Sequence, residues 1–276
     1  MLSRVFGLLA LCSLPLTQAF VIPHDLQALL SSNSKATANT FKENPSDIET
    51  STRPNWFESA LLARRLLAKS PSGVISTIFP DPPPPSSRAP ASVAGLPIGL
   101  REYISDCDSS LPSELSHYGN GDPTILALRV ATTFKNIGAG SNLSLELDWW
   151  EHLEDAVPTY PGLPRSPAAL PRVTLFGYLE PLPQLSAHSA SQLERCFLES
   201  HSDARVWLPG ASGSPHSSFW ARMIVTSAYW IGGFGDVQQI GWIDIDEWKG
   251  IRQYGSVNGV GDGRGWEDVR LPGEKE

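Results

Sequence analysis

Asn55-Trp56-Phe57-Glu58-Ser59-Ala60-Leu61-Leu62-Ala63-Arg64-Arg65-Leu66-Leu67-Ala68-Lys69, followed across Ser72-Gly73 by Val74-Ile75-Ser76-Thr77-Ile78-Phe79, decides the fold class. Asn55 with Glu58 three residues later is a capping-box pattern. Trp56, Ala60, Ala63 and Leu67 share one helical face while Arg64 and Arg65 face elsewhere, so a helix is predicted over 55–69. Ser72-Gly73 breaks it, and the β-branched run behind the break reads as a strand. Outward from there, strands are predicted near 95–105, 124–129, 143–148, 172–178 and 221–231, each bounded by Gly, Pro, Asn or Asp. A second helix over about 191–200 is expected to plug an end. One long helix ahead of short strands spaced by turns favours a mainly β fold, a closed antiparallel barrel with a few flanking helices, over alternating parallel units. The prolines of 80–90 and 157–171 place both stretches on the surface, because proline removes a ladder donor.

Composition narrows the class further. Of 276 residues, 41% are apolar and 18% charged, with 24 Pro and 23 Gly, as in a loop-rich globular chain. The 29 acidic residues outnumber 21 basic ones for a formal charge of −8, so the electrostatic footprint of a nucleic-acid binder is missing. Residues 1–19 read as a signal peptide: Arg4, an apolar run over 5–16, then small Thr17 and Ala19 at the positions a signal peptidase inspects. That run falls short of the ~20 apolar residues of a membrane span, and no later window reaches this length. The mature chain is therefore expected to begin at Phe20 and to be secreted or lumenal. Residues 20–53 are polar and aperiodic, an expected mobile arm; 54–254 hold the barrel; 255–276 are expected to form a flexible, Gly-rich tail.

Cys12 leaves with the signal, and the sequence leaves open whether Cys107 and Cys196 pair. No second Cys or His stands at a ligand spacing near either one, so no metal site is assigned. Asn142-Leu143-Ser144 is the sole N-glycosylation sequon, which makes Asn142 the modification candidate. No GxSxG or HExxH motif is present and no catalytic residue is assigned; His152, His201 and His216 read as structural. Asp244-Ile245-Asp246-Glu247 reads as a solvated helix start, and the glycines of 259–265 lack both the spacing and the following helix of a phosphate loop. Lys135, in Thr132-Thr133-Phe134-Lys135, could meet a phosphate together with the threonine hydroxyls.

The residues also carry a family resemblance. Ala60-Leu61-Leu62-Ala63-Arg64 with Gly73-Val74-Ile75-Ser76-Thr77-Ile78, then Leu96-Pro97-Ile98-Gly99 ending in Ile104-Ser105-Asp106, resemble the opening helix and first strands of CREG-like β-barrel proteins. Arg172-Val173-Thr174-Leu175-Phe176-Gly177 is similar to that family's Thr-Leu-x-Gly strand. The segment from His216 through Phe219-Trp220-Ala221-Arg222-Met223 to Gly232-Gly233-Phe234-Gly235 resembles its aromatic-rich strand and glycine turn. His201-Ser202 departs from the family's His-Pro, and its cysteine pair in the proline-rich loop is missing. The resemblance implies the FMN-binding split-barrel fold of pyridoxamine-phosphate oxidases and a homodimer. It also implies a secreted or vacuolar branch whose flavin site is lost or blocked, acting through its surface and without catalysis. The alternatives it carries are an FMN-dependent oxidoreductase and, third, a haem-binding protein. On the matching segments Arg101, Thr133 and Lys135 are the candidates to hold an FMN phosphate, a thin set for a dianion. The dimer is expected to cover outward members among Phe219, Trp220, Tyr229, Trp230 and Phe234, because neighbours on a strand cannot both face a barrel interior.

Overall fold

The structure, a computed structural model, describes residues 53–275 apart from 86, 113, 114, 116–120, 161 and 254–264. The predicted signal peptide and all but the last residue of the arm lie outside the described residues. Helix α1 (Trp56–Lys69) opens the described chain on the expected capping box: Asn55 Oδ1 accepts from the Glu58 amide at 2.9 Å and Glu58 Oε2 from the Asn55 amide at 2.8 Å. Its Ala60, Leu61, Ala63, Leu66 and Leu67 are fully buried in the main core.

Then follow β1 (Ser72–Ile78), β2 (Pro97–Ser105), β3 (Thr124–Leu128), α2 (Thr132–Gly138), β4 (Leu143–Asp148), β5 (Arg172–Pro181), α3 (Ala187–Ser200), β6 (Ser218–Ile231), β7 (Ile240–Ile243) and α4 (Ile245–Gly250). Strands β3-β2-β1-β4-β5-β6 pair antiparallel in that order, and β3 pairs β6 to close a six-stranded barrel, the mainly β architecture expected. The 14-residue β6 makes this possible. Its residues 218–222 face β3, residues 228–231 face β7, and its other edge pairs β5. A register shift at Phe176/Gly177 bends β5 around it, and Gly177 is required there because a Cβ would overlap the Ile224 carbonyl oxygen.

Strand alternation sorts the side chains. Ile75, Leu145, Leu175, Val225 and Trp230 fill the interior, each fully buried large apolar side chain contributing about 1.5–3 kcal/mol. On the β3–β6 seam, Ile125 and the pair Ala127↔Phe219 belong to that core and Ala221, opposite Ile125, is fully buried, whereas Leu126↔Trp220 faces outward. There α3 covers it with Leu193 and Phe197, so this helix lies on the barrel's outer face and does not plug an end as the sequence suggested. Cys107 and Cys196 are disulfide-bonded with Cα atoms 6.0 Å apart, joining the turn after β2 to α3.

Three further differences from the sequence reading have physical causes. The arginines expected off the apolar face of α1 are buried, because each finds partners beneath the surface (below). Residues 265–275, expected to belong to a flexible tail, include buried Trp266 and Leu271 that join the main core. Neither α2 nor β7 was expected.

Candidate functional site

The three residues weighed for a flavin phosphate do not converge. On β2, Ile98, Leu100 and Glu102 pair across from Thr77, Ile75 and Gly73, the buried face of β1, so Arg101 points the other way. The Arg101 guanidinium is exposed and donates to Ser72 Oγ at 3.0 Å. Thr133 is fully buried and its hydroxyl donates to Glu102 Oε1 at 2.6 Å. Burial pushes the Glu102 carboxyl above its ordinary range, and the Thr133 hydrogen bond opposes that shift. Lys135 is exposed on α2, while Asn136 of the same helix is buried and donates to Thr77 Oγ1 at 3.0 Å. A phosphate at Thr133 would meet a carboxylate already holding its hydroxyl, with Arg101 on the opposite face of β2. These residues do not fit the phosphate of FMN.

Asn142 is exposed directly before β4, an accessible place for its sequon. His201 is buried with Nε2 2.8 Å from the Ile104 carbonyl and its ring stacked on Tyr103; His152 stacks on Trp149; His216 is exposed. Asp244 caps α4 through the amides of Asp246 and Glu247, in keeping with the expected helix start. Among the described residues, no cluster of His, Cys, Asp or Glu could hold a metal ion, and no helix is long and apolar enough to cross a membrane.

What sequence reasoning missed is a buried ionic cluster. Arg64 is 0% exposed and donates to the carbonyls of Trp248 and Ile251 at 3.0 and 2.7 Å and to Asp108 Oδ2 at 2.9 Å. Arg222, also 0% exposed, reaches Asp108 Oδ1 at 2.5 Å. Burial disfavours the Asp108 charge, but Arg222 and Arg64 outweigh it and hold its carboxyl below the usual range. Burial, and then the neighbouring Asp108, push Asp106 up to about 6, while Arg64, 3.8 Å away, opposes that shift. Beside this cluster, Arg65 forms a two-pronged pair with Glu274 at 2.8 and 2.6 Å and lies over the Trp266 ring. Both arginines thus tie α1 to the C-terminal part of the chain. Their role is architectural: an opposing charge or a backbone carbonyl meets each guanidinium.

The aromatics expected at a dimer surface divide. Phe219 faces the core beneath Arg129, Trp220 is covered by α3, and Trp230 is wholly interior. Phe234 lies in the turn after β6 against Tyr160. Tyr229 alone of the five stands on an open outer face, edge-on to its cross-strand partner Trp242 with centroids 5.0 Å apart. Trp242 is 59% exposed and meets Phe176 of β5, with Tyr178 beyond it at 52% exposure. That face has the character of an interaction surface.

A family model described as "CREG, beta-barrel" matches residues 54–250. No curated protein matches the chain. Among solved structures it is similar to a heme binding protein from Mycobacterium smegmatis, at 18% identity and a TM-score of 0.45 over 72% of this chain. The chain spans 61% of the length of that protein. It is also similar to a FAD-binding protein (mll6688) from Mesorhizobium loti, at 17% identity and TM-score 0.37, covering 61% of this chain and 91% of that one. Campylobacter jejuni ChuZ is a third, at 10% identity and TM-score 0.43, covering 67% and 60% of the two chains.

Proposed function

Because the chain belongs to the CREG β-barrel family, we propose that it is a non-catalytic split-barrel protein of the secretory pathway, secreted or vacuolar, that acts as a homodimer through its surface. The observation that carries this reading is the Thr133–Glu102 hydrogen bond. A half-buried carboxylate, Glu102, occupies the hydroxyl that a flavin phosphate would need, and Arg101 and Lys135 do not converge on it. A phosphate dianion draws several charge-assisted contacts where it is bound tightly, so flavin binding is expected to be weak or absent.

The disulfide supports the secretory assignment, since such bonds persist where the compartment is oxidising. The exposed sequon at Asn142 agrees with it. The face of Phe176, Tyr178, Tyr229 and Trp242 supplies the apolar surface a two-fold contact would cover. No nucleic-acid partner is expected of a chain with formal charge −8.

An absorbance scan of the purified protein, with FMN and haem offered separately and unbound cofactor removed, tests the central claim. Neither chromophore should be retained. Micromolar FMN affinity lost on Lys135→Ala would overturn it in favour of a flavin-dependent oxidoreductase, and a retained haem band would favour a haem-binding protein. Light scattering should give a dimer that Trp242→Ser weakens. Protein from the native host should begin at Phe20 and lose mass on glycosidase treatment.

A further inference from the structure

The sequon of Asn142 is rooted in an apolar patch. Strand β4 lies between β1 and β5, with Ser144 opposite Ser76 on one side and Phe176 on the other, and Leu143 opposite Gly177. Carried back along β4 from Ser144, both registers set Asn142 between Ile78 and Tyr178. Residues placed directly across neighbouring strands have Cβ atoms about 5 Å apart. The Ile78 amide donates to Ser141 Oγ at 2.8 Å, which holds the end of β1 beside residue 142.

All of these side chains share the barrel's outer face. Thr77 and Leu143 are buried, and alternation turns their neighbours Ile78 and Asn142 outward. Ile78 is 42% exposed and Tyr178 52%, with Phe176 next along the same face of β5. A large aliphatic and a large aromatic side chain thus stand open to water on either side of the one asparagine that the sequence marks for a sugar.

The chemistry of that sugar suits the patch. The first residue of an N-linked glycan is an N-acetylglucosamine joined to Asn Nδ2, so it cannot leave the neighbourhood of its attachment. One face of its ring presents only axial C–H bonds, and its hydroxyls lie around the rim. Tyrosine offers the complement, a flat apolar ring with a polar tip that stays in water.

We infer that the first N-acetylglucosamine on Asn142 lies against the Tyr178 ring with Ile78 as its side wall, so that the chain's own sugar covers this end of the aromatic face. This narrows the surface left for a second copy to Phe176, Tyr229 and Trp242, the first of which meets Trp242 at a centroid distance of 5.6 Å. The inference rests on the reading of Asn142 as glycosylated and is independent of the flavin reading.

Protein secreted by a glycosylating host, labelled with carbon-13 in its sugars and trimmed by an endoglycosidase to a single N-acetylglucosamine, tests the contact. The sugar's ring protons should resonate upfield of their positions in the urea-unfolded glycoprotein, through the ring current of Tyr178. Tyr178→Ser, an exposed change, should return them to those positions, and Tyr178→Phe should keep the displacement. The single-sugar protein should melt about 2 °C above Asn142→Gln, as one modest contact in a domain of this size allows, and the difference should vanish when both carry Tyr178→Ser. Mass spectrometry separates the two ways of failing. An unmodified Asn142 would overturn the glycan reading and this inference with it. A sugar present on Asn142 whose protons ignore Tyr178→Ser would overturn the inference alone, and a dimer weakened by that same variant would then give the patch to a second copy.

Discussion

Removing the Cys107–Cys196 bond by the double substitution Cys107→Ala, Cys196→Ala puts a number on how far the fold leans on its cross-link. The two cysteines are 89 positions apart. Closing a loop of that length removes about 15 cal/mol/K from the unfolded chain, or about 4–5 kcal/mol at 25 °C. The unit Thr50–Glu276 that contains the bond has an unfolding entropy of about 0.5 kcal/mol/K near its midpoint. The ratio of the two predicts a fall in Tm of about 10 °C. Alanine is the right replacement, since Cys107 is fully buried against Leu193, Phe197 and Trp220, where a serine hydroxyl would add an unmatched polar group. Scanning calorimetry at one pH reads the shift, and a thiol titration of unfolded parent protein without residues 1–19, and so without Cys12, should find no free thiol and confirms the starting state. A double variant melting within 2 °C of the parent, or two free thiols in the parent, would refute the reasoning.

Asp106→Asn should stabilise the protein near pH 7.5 by about 1–3 kcal/mol. The Asp106 carboxyl sits at about 6 in the fold, above its unfolded value, so its ionisation costs stability that sets in as pH rises from about 4 and is complete above about 6. The two proteins should therefore converge in urea midpoint below pH 4, and a difference independent of pH would sink the assignment. Asp108→Asn strips the charge between Arg64 and Arg222 and should cost about 3 kcal/mol or more in urea unfolding, against a refuting value under 1. Gly177→Ala should cost about 2 kcal/mol as its methyl is forced against the Ile224 carbonyl, and an unchanged midpoint would show the bulge is not obligatory.

The elements legible in the sequence were those whose local signals agree with their surroundings. Helix α1 announces itself by its capping box, and β4 runs over the residues its pattern marks, because propensity, spacing and burial point the same way there. Helix α2 was hidden because Ala131 offers no side-chain cap and two threonines open it, residues that favour turns or strands when read alone. Strand β7 has four residues, one of them Gly241, too few for a period to show. Arg64 and Arg65 were placed on the solvent side because charge normally goes there. Their partners, Asp108, the Trp248 and Ile251 carbonyls and Glu274, are long-range and invisible to any local window. Arg101 and Lys135 were chosen as the basic residues on the segments that resemble the family, and Thr133 as a hydroxyl beside Lys135. The one local clue against them was the adjacency of Arg101 and Glu102, which on a strand must face opposite ways.

Arg64-Arg65 is also the sole pair of adjacent basic residues in the chain, the kind of bond trypsin-like proteases cut first. In the fold it sits in mid-helix with both side chains engaged, one by Asp108 and backbone carbonyls, the other by Glu274 beneath Trp266. A protease needs an extended substrate, so cleavage there requires α1 to unwind and residues 265–275 to come away. The dibasic bond therefore acts as a built-in gauge: its rate of cutting under native conditions measures how often this clasp, and the core that α1 shares with the barrel, opens.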